Sequence, residues 1–540
     1  MKCWLNSPFQ RAATLVFTYL FVFLSSYAQK PFDIQHYRFE IQVSDRTDSI
    51  YGTTVVRIKA SEPFQHFELD LVQSKNGKGM YVQDVMNTSA ISNLLRFRHD
   101  ADRLVIQFRD TVKKGETREV AIKYAGIPKD GLIISKNKHD DRTFFADNWP
   151  NRAHHWIPCV DAPDDKASFE FVITAPAHYQ VISNGVKVGD REVENGRRLT
   201  HWREDIPLST KIMVIGVARF AVKTFPDSPK DIPVSAWVYP QDSAKGFYDY
   251  ALATDILQFF SNYIAPYPYK KLANVQSKTI FGGMENASAI FYSETSVTGD
   301  RSSEDLIAHE IVHQWFGNMA SEKYFSHLWL SEGFATYLTN VYIEQKYGRD
   351  SMNQRLQQDR AAVIKFLKTK ALPVVDSVSK LMELLNANSY QKGSWFLHML
   401  RNRVGDNNFQ KIIQAYYNEF KGSNAETRDL IKVAVNVMRE DMRPFFHQWL
   451  YKPGYPKIKV QWKFQNNKIQ FTVDQLQNNL YQFPLEVEAV EKDGTKKLIK
   501  LNINDKKEII SIPAKTKPEK INLDPNTNLL FEGSVSAQKN

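Results

Sequence analysis

Hydrophobic and polar positions alternate with a period of two over the first third of the chain. Tyr37, Phe39, Ile41 and Val43 interleave with His36, Arg38, Glu40 and Gln42, and Val56, Ile58 and Ala60 interleave with Arg57 and Lys59. That period sends successive side chains to opposite faces of a strand, so these runs predict sheets with one buried face. Further strand-like runs cover Arg103 to Phe108, Arg118 to Tyr124, Phe169 to Thr174 and Ile212 to Val222. Asn184-Gly185, set between short runs, is a hairpin signal. The expectation for residues 29–228 is an N-terminal antiparallel β domain. After Pro229 the period lengthens to that of a helix, at about 244–263, 304–316, 332–347, 352–367, 394–404 and 409–450. One strand-like run, Ala273 to Ile280, intervenes, so residues 229–452 read as a mixed α/β unit with a helical extension. Pro453, Gly454 and Pro456 end the helices. Alternation then returns at Ile458, Val460, Trp462, Phe471, Val473, Ile499, Leu501 and Ile503. A small β-sandwich is predicted over 453–540, and the fold class is multidomain α+β.

The first residues change the picture of location. Lys2 and Arg11 precede an apolar run from Ala12 to Leu24, and Ser26-Tyr27-Ala28 puts small residues where a signal peptidase reads. Residues 1–28 are expected to be a secretory signal peptide, which makes the protein periplasmic or secreted. The run is shorter than the roughly 20 residues that cross a bilayer, so no membrane span is expected after cleavage. Only Cys3 and Cys159 are present, and loss of Cys3 leaves Cys159 without an intramolecular partner. The formal charge of +10 includes Lys2 and Arg11. Much of the remaining excess is late, at Lys496, Lys497, Lys500, Lys506, Lys507, Lys515, Lys517 and Lys520, where a solvated sheet face explains it. No nucleic-acid motif accompanies these lysines, so nucleic acid is not an expected partner; the oligomeric state is left open.

Chemistry concentrates in one stretch. His309-Glu310-Ile311-Val312-His313 falls in a helical segment, and the spacing i, i+4 puts both imidazoles on one face, one turn apart. Two neutral imidazole nitrogens so placed can grip one Zn²⁺. Glu310 flanks that site without aiming at it, which suits a general base for an attacking water. Ser302 and Ser303 are N-cap candidates, Glu304 and Asp305 favour the first turn, and Gly317 can end the helix. A catalytic zinc needs a third protein ligand, and Glu332 is placed to supply it from a second helix, starting at Ser331 and stopping at Gly348. His327, His398 and His447 fit no ligand spacing and are expected to be structural.

His309-Glu310-x-x-His313, eighteen intervening residues and Glu332 resemble the zinc signature of the M1 family of aminopeptidases. Upstream, Gly282-Gly283-Met284-Glu285-Asn286 resembles that family's Gly-x-Met-Glu-Asn exopeptidase motif, and downstream Tyr390-Gln391-Lys392-Gly393 resembles the segment with its catalytic tyrosine. Trp156-Ile157-Pro158-Cys159 with Asp161 and Pro163, and Gly454-Tyr455-Pro456, extend the likeness over most of the chain after about residue 30. The resemblance implies a thermolysin-like catalytic domain over 229–452, one zinc per chain, and peptide substrates with a free N-terminus. It implies Tyr390 as donor to the developing oxyanion. It also implies Glu285 as anchor of the substrate amine, with Gly282, Gly283, Met284 and Asn286 beside it. In the family a Gln or Glu five residues before an arginine also reaches the amine; counting back from Arg152 assigns that place to Asp147. Family members often carry a long C-terminal helical array, which the alternation after Pro456 replaces here. An endopeptidase or epoxide hydrolase on the same scaffold would share the zinc set without needing Glu285. A non-catalytic binding protein that has kept the fold is a further alternative, although it should have lost ligands, base or tyrosine.

Overall fold

The computed structural model describes residues 30–88 and 93–538; the expected signal peptide lies outside them. Strand Phe32–Gln42 buries Phe32, Ile34, Tyr37, Phe39 and Ile41, with one register shift between Ile34 and His36. It lies inside an eight-stranded sheet ordered Val186–Val193, Arg197–Leu208, Ala167–Pro176, Phe32–Gln42, Ile50–Ala60, Thr117–Ile127, Gly79–Asn87, Asn93–Leu94. A three-stranded sheet (Phe64–Asp70, Arg103–Val112, Arg96–Asp100) and a four-stranded sheet (Gln180–Ser183, Ile215–Ala218, Arg142–Ala146, Leu132–Lys136) complete the unit. Stacked aromatic rings fill the space behind the large sheet, with Phe39 on Phe171 at 5.0 Å and Trp156 on Phe171 at 6.0 Å.

Three sequence expectations need correction. The strands pair antiparallel with one exception: Phe32–Gln42 runs parallel to Ala167–Pro176. Asn184-Gly185 makes no hairpin. Gly185 does turn the chain, at φ 69°. Yet Gln180–Ser183 pairs with Ile215–Ala218, and Val186–Val193 pairs with Arg197–Leu208, so the turn crosses between sheets. Asn184 fixes that crossing by donating to the carbonyls of Ile212 and Ala287 and accepting from the Val214 amide. Finally, the run Ile212 to Val222 breaks in two. Ala221–Thr224 pairs with Val234–Val238 and joins the next unit, so the structural boundary falls near residue 219 rather than 229.

The second unit is built on a five-stranded sheet ordered Ala221–Thr224, Val234–Val238, Leu272–Ser277, Ala289–Ser293, Gly283–Met284. Its three central strands are parallel, and Leu272–Ser277 is buried along its whole length, as a strand covered on both faces must be. The edge strand Gly283–Met284 runs antiparallel to Ala289–Ser293. Helices follow at Ser243–Tyr250, Leu252–Tyr263, Glu304–Val312, Trp329–Tyr347, Arg349–Thr369 and Gly393–Val404. The stretch expected at 409–450 is divided among Asp406–Phe420, Thr427–Met438 and Arg443–Phe446. No helix among the described residues is long and apolar enough to cross a membrane.

The C-terminal unit consists of two facing sheets, one of Lys507–Pro513, Lys468–Gln475, Lys457–Gln465 and Glu532–Ala537, the other of Lys496–Ile503, Phe483–Val490 and Lys520–Leu523. The late lysines are all exposed. Arg360 ties this sandwich to the helical unit, donating to Asp524 at 2.5 Å and to the Leu529 carbonyl at 2.7 Å.

Candidate active site

The helix Glu304–Val312 begins at Ser303, but the Ser303 hydroxyl donates to the Ser296 carbonyl at 2.8 Å instead of capping the helix. Ile307, Ala308, Ile311 and Val312 form its buried stripe. His309 and His313 leave the same face with their Nε2 atoms 3.1 Å apart. The chain then turns sharply at Gly317, φ 112°; a Cβ there would lie 2.3 Å from Ser331 Oγ and 3.0 Å from His313 Nδ1. Glycine at this turn therefore lets the second helix, Trp329–Tyr347, close on His313. Ser331 does not start that helix, as expected from its residue type; its hydroxyl sits 3.1 Å from His313 Nδ1. The Phe316 carbonyl lies 3.1 Å from the same nitrogen and can only accept. Nδ1 therefore carries the proton, and Nε2 keeps its lone pair for a ligand role. One turn into the second helix, Glu332 Oε2 lies 3.4 Å from His309 Nε2 and 3.3 Å from His313 Nε2. The three donors make a nearly equilateral triangle suited to one metal ion.

Tyr390 reaches the same place by a different route. Helix Gly393–Val404 crosses the second helix where Gly333 meets Gly393; a Cβ on Gly333 would lie 2.9 Å from Gly393 Cα. The chain enters Gly393–Val404 through a single π-helical turn, Asn388–Lys392, which carries Tyr390. The phenol ring stacks over His309 with centroids 6.0 Å apart.

Glu285 follows the short edge strand Gly283–Met284. A Cβ on Gly283 would lie 2.3 Å from Glu310 Oε1, so the strand runs directly against the proposed base. Two side chains that sequence reasoning did not single out hold this segment. Gln314 Nε2 and Asn318 Nδ2 donate to the Glu285 carbonyl at 2.9 and 2.7 Å, and Gln314 Oε1 accepts from the Ser288 amide at 2.8 Å. Their signal in the sequence was slight: two amides beside Trp315 and Phe316, where the helix turns inward and a polar side chain needs a partner.

Burial dominates the electrostatics. Desolvation pushes the Glu285 carboxyl up and the Glu310 carboxyl well above the usual range, with His313 pulling both the other way. Burial also raises the Tyr390 phenol, helped by the surrounding carboxylates, so the hydroxyl keeps its proton. A metal dication held by the donor triangle would favour the ionised carboxylates.

Gly282, Gly283, Met284, Glu285, His309, Glu310, His313, Glu332 and Tyr390 line one cavity of about 510 Å³. Two expected residues do not line it. Asn286 is buried outside the lining. Asp147, expected at the substrate amine, is fully buried and turned into the protein. Its Oδ1 accepts from Arg152 Nη2 at 2.7 Å, and its Oδ2 accepts from Thr279 Oγ1 and the Ile280 amide, each at 3.0 Å. This short side chain is held by three donors away from the cavity, so it does not present its carboxylate to an amine there. Trp149, two residues on, lines the cavity instead. His327, His398 and His447 lie outside it; His327 bonds Thr427 at 2.9 Å and His398 bonds the Thr527 carbonyl at 3.0 Å.

Comparison with known proteins agrees with this architecture. Residues 34–212 match the family model described as peptidase M1 N-terminal domain, and residues 248–449 match the peptidase family M1 domain. A leucyl aminopeptidase of Saccharolobus solfataricus is 29% identical over 385 residues, covering 68% of this chain and 47% of the relative. A probable aminopeptidase 1 of Sulfurisphaera tokodaii is 27% identical over 495 residues, covering 87% and 60%. The human glutamyl aminopeptidase is 28% identical over 334 residues, covering 58% and 34%. The chain thus spans about half the length of the curated relatives it matches.

Proposed function

The chain belongs to peptidase family M1, and from that premise we propose that it is a zinc aminopeptidase that removes the first residue of peptides. The observation that carries the reading is the convergence of His309, His313, Glu332, Glu310, Tyr390 and Glu285 on one cavity. The donor triangle supports zinc. Ligands about 2.0–2.2 Å from a tetrahedral centre lie about 3.3–3.6 Å from one another. The observed separations are 3.1, 3.3 and 3.4 Å. Two imidazoles and a carboxylate are a common catalytic zinc set.

Zinc, when bound, supplies Lewis acidity, making a water nucleophilic near neutral pH and polarising the scissile carbonyl. Glu310 removes the proton from the attacking water and passes it to the departing amine. Tyr390 donates its hydroxyl hydrogen to the carbonyl oxygen as that oxygen becomes negative. Glu285 pairs with the α-ammonium of the substrate, held in position through its backbone by Gln314 and Asn318. The balance is one water consumed and one peptide bond cleaved, giving a free amino acid and a shortened peptide.

The test compares an aminoacyl-fluorophore and its N-acetyl derivative, with and without a chelator. The free-amine compound should be hydrolysed, the acetylated one left nearly intact, and activity should vanish on chelation and return with zinc. Equal cleavage of both compounds would replace this reading with an endopeptidase. The apolar run and small residues ahead of Gln29 also support a proposal of export; the N-terminal residue of the mature protein, read by mass spectrometry, should be Gln29.

A further inference from the structure

We propose that Asn184, Gly185 and Lys271 form a clamp on the turn from Glu285 to Ser288, and that this clamp positions Glu285 for the substrate amine. The inference rests on the aminopeptidase reading and adds to it positioning residues outside the cavity, two of them in the β unit. None of the three lines the cavity. They act on the stretch of chain that carries the anchor.

That turn joins the edge strand Gly283–Met284 to Ala289–Ser293. Ser288, three residues after Glu285, has a left-handed backbone, φ 61°, which a residue with a side chain keeps only where its surroundings hold it. Every polar group of Ser288 is held. Its amide donates to Gln314 Oε1, and its carbonyl accepts from the Ala273 amide and from Lys271 Nζ, each at 3.0 Å. Its hydroxyl oxygen accepts from the Gly185 amide at 2.9 Å and from Lys271 Nζ at 3.1 Å. One residue earlier, Asn184 Nδ2 donates to the Ala287 carbonyl at 2.6 Å. A Cβ on Gly185 would lie 2.0 Å from the Arg203 carbonyl oxygen, so glycine is what lets the crossing chain present its amide here.

Lys271 is the bridge between the two units. Its side chain is buried, and Nζ donates to the Ser183 carbonyl at 2.8 Å as well as to both acceptors of Ser288. Three acceptors match the three protons of an ammonium. Burial pulls the Lys271 amine down to about 7, and Glu204, buried on strand Arg197–Leu208, favours its charged form. The turn is thus fixed at both ends. Gln314 and Asn318 hold it at the Glu285 carbonyl, and the β unit and Lys271 hold it at Ala287 and Ser288. An anchor that must meet an ammonium while the metal site holds the scissile carbonyl tolerates little drift, since a misplacement near 1 Å can cost about 100-fold.

The experiment measures inhibition of the zinc-loaded full chain by leucine hydroxamate and by its des-amino analogue, which keeps the metal-binding group and the side chain but lacks the α-amine. Wild type should bind the amine-bearing compound about 10- to 100-fold more tightly. Lys271→Met should cut that ratio about three- to tenfold at normal zinc content, with KM for a leucyl-fluorophore rising more than kcat falls. Ser288→Ala removes only the hydroxyl shared by Gly185 and Lys271, and should cut the ratio about two- to threefold. Should Lys271→Met fail to fold because Glu204 has lost its cation, Lys271→Met with Glu204→Gln takes its place and should show the same loss. A large wild-type ratio that stays unchanged in the lysine variant overturns the clamp and leaves the amine anchor standing. So does an equal weakening of both compounds, the result of a general loosening of the cavity. A wild-type ratio near one overturns Glu285 as amine anchor and the clamp together.

Discussion

Gly393→Ala tests how Tyr390 is held. A Cβ at 393 would lie 3.0 Å from Gly333 Cα and 3.5 Å from Trp329 Cβ. Carbon atoms prefer about 3.5–4.0 Å, so helices Trp329–Tyr347 and Gly393–Val404 would have to part by about 0.5–1 Å. Neither side can yield by rotating a side chain, because the nearest contact is backbone against backbone. Overpacking of this kind costs about 1–3 kcal/mol, and the helix propensity of alanine returns up to about 1 kcal/mol of it. The net is about 0–3 kcal/mol, a fall in Tm of at most about 12 °C at about 2–4 °C per kcal/mol. The catalytic effect should be larger than the stability effect. Tyr390 lies three residues before Gly393, and Glu332 adjoins Gly333, so the separation displaces an oxyanion donor relative to a metal ligand. A misplacement near 1 Å can cost about 100-fold, and losing such a donor outright costs about 10²–10³-fold. We expect kcat on a leucyl-fluorophore to fall about 10- to 100-fold, with KM and zinc content little changed. Steady-state kinetics, zinc analysis and thermal unfolding on one preparation give all three readouts. A kcat within twofold of wild type would refute the argument that this glycine crossing sets the position of Tyr390.

Other substitutions address single groups. Glu310→Gln keeps the metal ligands and removes the proton carrier, so zinc content should be normal while kcat falls about 10²–10⁴-fold; near-normal turnover would remove Glu310 as the base. Tyr390→Phe should lower kcat about 10²–10³-fold with little change in KM, and a loss confined to KM would assign the hydroxyl to ground-state binding instead. Lys211 and Glu322 form an ion pair buried on both sides. Lys211→Met strands the carboxylate and should cost about 3–5 kcal/mol in urea unfolding, whereas Lys211→Met with Glu322→Gln should recover much of it. A single-variant loss under about 1 kcal/mol would show that Glu322 finds other compensation.

The sequence was most legible where the physics is local. An i, i+4 pair of histidines needs only a helix, and period-two alternation needs only a sheet with one wet face. The meeting of His309, His313 and Glu332 and the mixed α and β fold class could therefore be read directly. What escaped depends on partners far along the chain. Strand Phe32–Gln42 lies parallel to Ala167–Pro176, more than a hundred residues away, and nothing in either strand's alternation names that neighbour. Asn184-Gly185 has the residues of a hairpin, but carbonyls at Ile212 and Ala287 claim the asparagine. Gln314 and Asn318 act on a backbone carbonyl, a target that carries no residue identity. Asp147 was placed by counting from Arg152, and that arginine is what draws the carboxylate away from the cavity. The π-helical turn under Tyr390 has no periodic signature within five residues.

The loop carrying Trp149 follows strand Arg142–Ala146 of the N-terminal unit, whereas the metal ligands and Glu310 belong to the helical unit. The cleft is therefore walled by two units, Trp149 coming from the β unit and Phe281, Met284 and Glu285 from the same unit as the donor triangle. A change in the 147–152 loop reshapes that cleft without touching the donor triangle, and a fragment beginning after the β unit would leave the cleft short of one wall.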